Sequence, residues 1–180
     1  MPPLGRSDYG RQVEGRILQD PFRTPGVDRA AAGKGGCVHL VSDILEGKGH
    51  KVLEIEADAT VFDAVKRMVE ANVGSLLVKE RGRVVGIVTE RDYLRRVALE
   101  RRDDENTPVR EAMTSPLVVV TPETPIDECM AVMTDRRIRH LPVVEGGEVV
   151  GVVSIGDVVK YTSQQQSFEI KYLTEFISGH

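Results

Sequence analysis

The chain has 180 residues, of which 41% are hydrophobic and 29% are charged, and this balance is ordinary for a folded globular protein. Its net charge of −4 at pH 7 argues against nucleic acid as a partner, and no apolar run approaches the ~18 residues that a membrane-spanning helix needs. Aromatic residues make up only 4% of the chain, so an aliphatic core is expected.

The first part of the chain is predicted to be a flexible arm. Residues 1–37 are rich in Gly, Pro, Arg and Asp and show no sustained apolar period. Their arginines are typical of an organelle transit peptide, but acidic residues are interleaved, and transit peptides are poor in acids. Cys37 and Cys129 cannot form a disulfide framework, which fits a reducing compartment. We therefore expect a soluble intracellular protein of the cytoplasm, with the mitochondrion or plastid as alternative.

The rest of the chain is dominated by an internal repeat. When the sequence is shifted by 65 positions, residues 52–97 lie on residues 117–162 without a gap. The phrase GIVTERD at 86–92 thereby coincides with GVVSIGD at 151–157. A self-similarity of this length predicts two copies of one structural unit.

Each copy alternates between helical and extended patterns. Apolar residues at helical spacing mark helices that start near Val61 and near Ile126, and Thr124 before Pro125 predicts the N-cap of the second one. Two apolar runs joined by a Gly-containing turn then predict a hairpin in each copy, followed by another helix from about 89 and about 154. Each copy is therefore predicted to be a β-α-β-β-α unit of an α+β fold.

The domain organisation follows from these patterns. The charged stretch ERRDDENTP joins the two copies, and the last residues have an apolar face at helical spacing. The predicted organisation is a flexible arm at 1–37, repeat 1 at 38–100, a linker at 101–108, repeat 2 at 109–162 and a C-terminal helix at 163–180.

A hydroxyl and a carboxylate recur where a strand turns into a helix in each copy. Thr89 and Asp92 occupy this place in the first copy, and Ser154 and Asp157 occupy it in the second. Exposed N–H groups at a helix start favour an anion, and a carboxylate one turn later can accept hydrogen bonds from a ribose diol. The alternative is a capping box, in which the same residues stabilise the helix and bind no ligand. Both roles are compatible.

Basic residues stand at the start of one predicted strand. Arg139 and His140 open the strand RHLPVV, and their counterparts in the first copy are the uncharged Gly74 and Ser75. Arg offers a forked, permanently charged donor, and His titrates near neutral pH. If these strand starts face a phosphate, its binding is expected to be asymmetric between the copies, and the alternative is a solvated charge beside a strand.

With its repeat, its element order and its two G-h-h-[ST]-x-x-D phrases, the chain resembles a pair of cystathionine β-synthase (CBS) domains, also called a Bateman module. NVGSLLV, GIVTERDYLR, RRIRHLPVV and VSIGDVVK are typical of stand-alone CBS-pair proteins of bacteria and plant organelles. The resemblance covers about residues 38–162. It implies that the repeats pack about a pseudo-twofold axis, that two chains form a homodimer, and that AMP, ADP or ATP binds in the cleft between the repeats.

The resemblance also implies which residues would form the two nucleotide sites. One site would combine Thr89 and Asp92 with Thr121, Ile138 and His140, and the other would combine Ser154 and Asp157 with Glu56, Val73, Gly74 and Arg139. Glu56 stands where the family often has a hydroxyl, so the first site ranks slightly above the second. No cofactor is required on this reading.

Three functional readings remain open at this stage. The preferred one, which the resemblance implies, is a regulatory module that senses adenine nucleotides; it is read as non-catalytic because no catalytic arrangement or metal-ligand spacing is identifiable. The alternatives are an interaction scaffold of the same fold that has lost nucleotide binding, and a regulatory subunit of a separate protein. Family resemblance implies a thioredoxin-system protein as a regulated partner; nucleic acid and membrane are not expected partners.

Overall fold

The computed structural model describes residues 22–23, 38–49 and 52–177. The predicted flexible arm lies outside the described residues, apart from Phe22–Arg23, which form the short strand β1. The first helix, α1, spans Val41–Lys48.

The first repeat has the predicted order of elements. Its strands form a three-stranded sheet in the order β2-β3-β4, in which β2 is parallel to β3 and β3 is antiparallel to β4. The helix after β4 has a single α-helical turn and then widens into a π-helical segment. These elements are β2 (Glu54–Glu56), α2 (Val61–Ala71), β3 (Ser75–Glu80), β4 (Arg83–Thr89), α3 (Glu90–Tyr93) and the π-helical segment (Leu94–Ala98).

The second repeat follows the same order, preceded by a short helix. Its last helix is continuous from Ile155 to Ile177, so the C-terminal helix predicted at 163–180 is the second half of one long helix. The elements are α4 (Val109–Ala112), β5 (Leu117–Val118), α5 (Ile126–Arg136), β6 (His140–Glu145), β7 (Glu148–Ser154) and α6 (Ile155–Ile177).

The two hairpins are equivalent down to their irregularities. The β3–β4 turn holds Arg81 and Gly82 at φ of 51° and 77°, and the β6–β7 turn holds Gly146 and Gly147 at 60° and 86°. Two consecutive residues with positive φ are the mark of a type I′ turn, whose twist matches that of the strands. The register shifts after Val78 in one hairpin and after Val143, its counterpart, in the other.

One proline explains why the two sheets differ. In the first repeat the N–H of Leu77 donates to the carbonyl of Leu53 at 2.9 Å, which helps to hold β2 against β3. The counterpart of Leu77 is Pro142, which has no N–H to donate. In the second repeat the parallel pairing is therefore reduced to a bridge between Val120 and Val143, and β5 pairs with β1 instead.

The two sheets face each other across the middle of the molecule. One buried cluster contains Leu77 and Ile87 from the first repeat, with Val144, Val149 and Val152 from the second packed against them. Ile87 and Val152 are equivalent under the 65-residue shift, so each repeat offers the same face to the other. This is the pseudo-twofold arrangement that the resemblance implied.

The short helix in front of each repeat packs in the core of the other repeat. We call α1 and α4 the leading helices. Val41, Ile44 and Leu45 of α1 lie in the core that α5 and α6 help to build, and the N–H of Val41 donates to the carbonyl of Thr124 at 2.9 Å. The leading helix α4 packs against the first repeat in the same way, since the N–H of Val109 donates to the carbonyl of Ala59 at 2.8 Å. The repeats are thus interlocked.

Two glycines allow the interlocking. A Cβ on Gly86 would lie 2.7 Å from Sδ of Met113 and 3.0 Å from the carbonyl oxygen of Thr114, just beyond α4. A Cβ on Gly151 would lie 2.7 Å from Cδ2 of Leu45 in α1. The glycines in the repeated phrase therefore make room for the neighbouring leading segment.

The core is aliphatic, as the composition predicts. Met68 and Met133, at helical spacing in the sequence, are 2% exposed, and Cys129 is completely buried beside Met133. Burial, with a smaller effect of Glu128, raises the pKa of the Cys129 thiol to about 11. At neutral pH this cysteine is therefore a small apolar core residue and not a nucleophile.

Candidate functional site

The candidate site is built around the two places where a strand meets a helix. We call residues 89–92, between β4 and α3, the first junction, and residues 154–157, between β7 and α6, the second junction. Each lies at the end of the sheet beside the cross-repeat interface. The surroundings of the two junctions differ.

Both junctions contain a complete capping box. At the first, the carboxylate of Asp92 accepts from the N–H and hydroxyl of Thr89, at 3.0 and 2.6 Å, and the N–H of Asp92 donates to Oγ1 of Thr89 at 3.2 Å. At the second, the carboxylate of Asp157 accepts from the N–H and hydroxyl of Ser154 at 2.8 and 2.7 Å, and the N–H of Asp157 donates to Oγ of Ser154 at 3.2 Å. The capping role predicted as an alternative is therefore real in both copies.

The carboxylate of the first junction has partners on both oxygens. Oδ2 of Asp92 receives the two bonds from Thr89, and Oδ1 accepts from the hydroxyl of Thr114 at 3.1 Å. Nε of Arg96, in the π-helical segment, lies 3.9 Å from Oδ1. The same guanidinium also donates to the carbonyls of Ala112 and Met113. With its side chain only 14% exposed, Asp92 is part of a bonded network that ties the junction to the segment after α4.

The carboxylate of the second junction is held by a lysine from the other end of the chain. Nζ of Lys48, the last residue of α1, donates to Oδ2 of Asp157 at 2.5 Å and to the carbonyl of Val152 at 3.1 Å. Burial alone would raise the pKa of Asp157, but the hydrogen bonds from Lys48 and Ser154 outweigh it and hold that pKa below its usual range. Asp157 is thus an anion at neutral pH.

His140 lies beside the second junction, opposite Ser154 in the β6–β7 register. A Cβ on Gly74 would lie 3.4 Å from the imidazole Cε1 and 3.4 Å from Oε2 of Glu90, so Gly74 leaves room for this contact between the repeats. Burial lowers the pKa of His140, and the charge of Lys48 lowers it further. Asp157 and Glu90 act in the opposite direction without reversing the shift, and Arg139 adds slightly to it.

The predicted site residues are brought together only in part. Gly74, Arg139, His140, Ser154 and Asp157 gather at the second junction or beside it. The backbones of Gly74 and Arg139 play equivalent parts, because their carbonyls accept from the N–H groups of Glu90 and Ile155 at 3.2 and 2.9 Å.

The remaining predicted residues are less closely connected. Val73 packs against the first-repeat core and Ile138 against the second, and the N–H of Thr121 donates to Oγ1 of Thr124 at 3.0 Å. No hydrogen bond or ion pair within residues 52–177 links Thr121 or Ile138 to Thr89 or Asp92. Glu56 is exposed on β2.

Sequence reasoning missed the residues that distinguish the junctions. The carboxylate of Asp157 accepts from Lys48, and the carboxylate of Asp92 is contacted by Thr114 and Arg96. Lys48 is the last residue of the leading helix α1 and Thr114 lies just beyond the leading helix α4, so both belong to segments that pack against the other repeat. The signal for Lys48 was present in GKGH, which is basic but does not fit a phosphate-binding loop. Its role depends on a long-range contact that no local pattern records.

A groove of about 310 Å³ lies elsewhere, along α6. Among the residues that the structure describes, those that line it all belong to that helix, and none belongs to either junction. The lining residues are Ser163, Gln164, Ser167, Phe168 and Lys171.

Comparison with known proteins decides the family. The CBS domain family matches the chain twice, over residues 41–99 and 109–163. The chain belongs to the CBS domain family. The two matched stretches correspond to the two repeats found in the sequence, and each begins with one of the leading helices.

CBS-domain proteins are similar to this chain along most of its length. The CBS domain-containing protein CBSX3, mitochondrial, of Arabidopsis thaliana is 41% identical over 148 residues, covering 77% of this chain and 72% of that protein. A solved protein with CBS domains from Burkholderia ambifaria MC40-6 is 43% identical with a TM-score of 0.67, and the match covers 69% of this chain and 93% of the solved one. These names refer to CBS domains rather than to a reaction.

One solved relative contains adenosine compounds. The CBS domain pair of protein MJ0100 is 25% identical to this chain with a TM-score of 0.62, over 71% of this chain and 98% of that one. It was solved in complex with 5′-methylthioadenosine and S-adenosyl-L-methionine. Adenosine-containing ligands are therefore known on a pair of this architecture.

The part of the chain that the structure describes contains neither a helix that could span a membrane nor a cluster of side chains that could hold a metal ion. None of its helices is both long enough and apolar enough to span a bilayer. Its His, Cys, Asp and Glu side chains also form no cluster of three or more that could hold a metal ion.

Proposed function

We propose that this chain is a non-catalytic regulatory module that binds an adenine nucleotide (AMP, ADP or ATP) between its two CBS repeats and regulates a partner protein. The observation that carries this proposal is the second junction, where an ionised carboxylate, a hydroxyl, the ammonium of Lys48 and the imidazole of His140 lie together, and where the charge of Arg139 acts on that imidazole. The carboxylate suits the two hydroxyls of a ribose, and the basic side chains suit phosphate. Lys48, Arg139 and His140 are those basic side chains.

The geometry favours the second junction over the first, which ranked higher from sequence. Oδ1 and Oδ2 of Asp92 already accept hydrogen bonds, and Arg96 lies beside them. Asp157 has all three of its donors on Oδ2, which leaves Oδ1 for a ligand hydroxyl. We infer that nucleotide binding is asymmetric between the two junctions.

Binding between the repeats would make the module a sensor. A ligand bound beside His140 would contact both repeats, because His140 lies against Gly74 and interacts with the charge of Glu90. Such a ligand favours one arrangement of the two repeats by the difference in its affinity for the two arrangements. We propose that the chain is a homodimer, supported by apolar side chains that stand exposed on α2, on the π-helical segment and directly after it; they are Phe62 at 46%, Val69 at 73%, Leu94 at 57% and Leu99 at 78% exposure. A thioredoxin-system partner, and a cytoplasmic or organellar location, remain proposals by resemblance; the mitochondrial relative supports the organellar one.

The scaffold reading is the second candidate, favoured by the bonded network around Asp92. If both junctions served only as helix caps, the same fold would present its surface to a partner without any ligand. Binding measurements separate the two readings directly.

The first test is isothermal titration of the full chain with AMP, ADP, ATP and S-adenosylmethionine, together with thermal unfolding. Ligand at about 100 times its dissociation constant should stabilise the fold by about 2.7 kcal/mol, which is roughly 5–10 °C at this size. Asp157→Asn should weaken AMP binding about tenfold or more, because the amide cannot accept both ribose hydroxyls. Asp92→Asn is the matched control and should bind AMP like the wild type. Absence of binding by all four ligands would establish the scaffold reading.

A further inference from the structure

The ion pair between Lys48 and Asp157 stands in the way of the ligand proposed above. Nζ of Lys48 lies 2.5 Å from Oδ2 of Asp157, and the two side chains are 41% and 23% exposed. The same oxygen accepts both bonds from Ser154. A carboxylate oxygen offers about two lone-pair positions, so three donors saturate Oδ2.

A ribose needs both oxygens of this carboxylate. Its two neighbouring hydroxyls bond a carboxylate best when each donates to a different oxygen. Oδ1 can take one of them, but Oδ2 can accept the other only when Lys48 leaves and the hydroxyl of Ser154, one of the two remaining donors, turns away. Seating the ribose therefore requires the ammonium to leave, and its departure leaves a charge without its partner.

The charge of the incoming ligand decides whether this exchange is favourable. A phosphate brings an anion next to His140, which the charges of both Lys48 and Arg139 reach, so the released ammonium finds a new partner. A neutral nucleoside offers no such partner, and a sulfonium compound adds a positive charge next to Lys48 and Arg139.

We propose that Lys48 determines the ligand class of the second junction by exchanging Asp157 for a phosphate, so that the site selects phosphorylated nucleosides over adenosine compounds without phosphate. This inference rests on the proposed function and adds a selectivity to it. The MJ0100 pair was solved with two adenosine compounds that carry no phosphate, and this chain would differ in its preference.

Replacing Lys48 by an apolar residue of similar length tests the exchange. AMP and 5′-methylthioadenosine are titrated into wild type and Lys48→Met, and the ratio of their two dissociation constants is compared. The ratio should shift by about tenfold or more toward 5′-methylthioadenosine in Lys48→Met, because AMP loses a cation and the neutral ligand no longer displaces one. Lys48→Arg keeps the charge and should retain the preference for AMP.

A second lysine supplies the control. Lys66 on α2 is 61% exposed and forms only an i,i+4 pair with Glu70 at 4.0 Å, so Lys66→Met should leave the ratio unchanged. If Lys48→Met is too unstable to titrate, Lys48→Gln with the same two ligands replaces it. AMP binding by the wild type with an unaltered ratio in Lys48→Met, or in Lys48→Gln where that variant replaces it, would overturn the exchange and leave the proposed function standing. If neither ligand binds to any of these proteins, both the exchange at Lys48 and the proposed function are overturned.

Discussion

His140 is the residue at which burial and charge matter most for the behaviour of the candidate site. It lies on β6 between the two repeats, and the charged groups that face it are Lys48, Asp157, Glu90 and Arg139. Burial and Lys48 outweigh the two carboxylates, so the pKa of the folded state lies below the ordinary value of 6.5. The neutral imidazole is therefore the form that fits the folded chain, and protonation opposes folding.

This shift predicts a loss of stability in mild acid. Below pH about 6.5 the unfolded chain takes up a proton at His140 that the folded chain resists, so the contribution of this group to stability is complete above that pH and declines as pH falls toward the folded-state pKa. The free energy of unfolding in urea should therefore fall between pH 7.5 and 5.5. His140→Gln should show a smaller fall over the same range. A slope equal to that of the wild type would mean that His140 is not the responsible group.

At the scale of elements, the local patterns of the sequence predicted the β-α-β-β-α elements of each repeat, because those patterns arise from the elements themselves, but they did not predict the leading helices α1 and α4 or the strand β1. The exceptions have physical causes. Helix α6 continues through the predicted boundary because no Pro or Gly interrupts residues 157–177. The predicted N-cap at Thr124 was wrong: Pro125 is the N-cap of α5, and Oγ1 of Thr124 accepts from the N–H of Thr121.

The interlocking of leading helices and repeats could not be predicted in the same way. The apolar residues of α1 and α4 show that these helices are buried, but not which repeat buries them. Lys48 reaches Asp157 only because α1 packs against the second repeat. The sequence therefore predicted the junction residues of the candidate site but not Lys48, which lies far from them along the chain. A contact between residues that are far apart along the chain produces no periodic pattern in the sequence.

The glycines under the leading segments give a prediction about elements. Gly86→Ala should destabilise the fold by about 1–3 kcal/mol, because the new methyl meets both Sδ of Met113 and the backbone oxygen of Thr114. Gly151→Ala should cost less, since only the flexible end of Leu45 must move. Gly47→Ala, in helix α1 with nothing within 4 Å, is the control and should stabilise by about 0.5–1 kcal/mol. Urea unfolding of the three variants checks the order, and equal effects at Gly86 and Gly47 would contradict it.

At the scale of the whole molecule, the sequence repeat and the packed unit are different stretches of chain. The first-repeat cores contain Val109 and Ala112 of α4, which the sequence places in the second repeat. Helix α1, which the sequence places in the first repeat, lies in the core of the second. Each half of the molecule is therefore completed by a helix from the other half, and the two halves should fold as one cooperative unit.

Two fragments of equal length test whether the sequence repeat or the packed unit is the more stable stretch of chain. Residues 38–100 follow the repeat in the sequence, whereas residues 52–114 keep β2 to β4 together with the leading helix α4 that packs on them. A chain of this size is marginally stable even with a complete core, so loss of Val109 and Ala112 should leave 38–100 unfolded. The fragment 52–114 should show more helical circular dichroism and a higher midpoint in urea. Greater stability of 38–100 would mean that α4 contributes less than its buried residues indicate, and that the repeats are joined rather than interlocked.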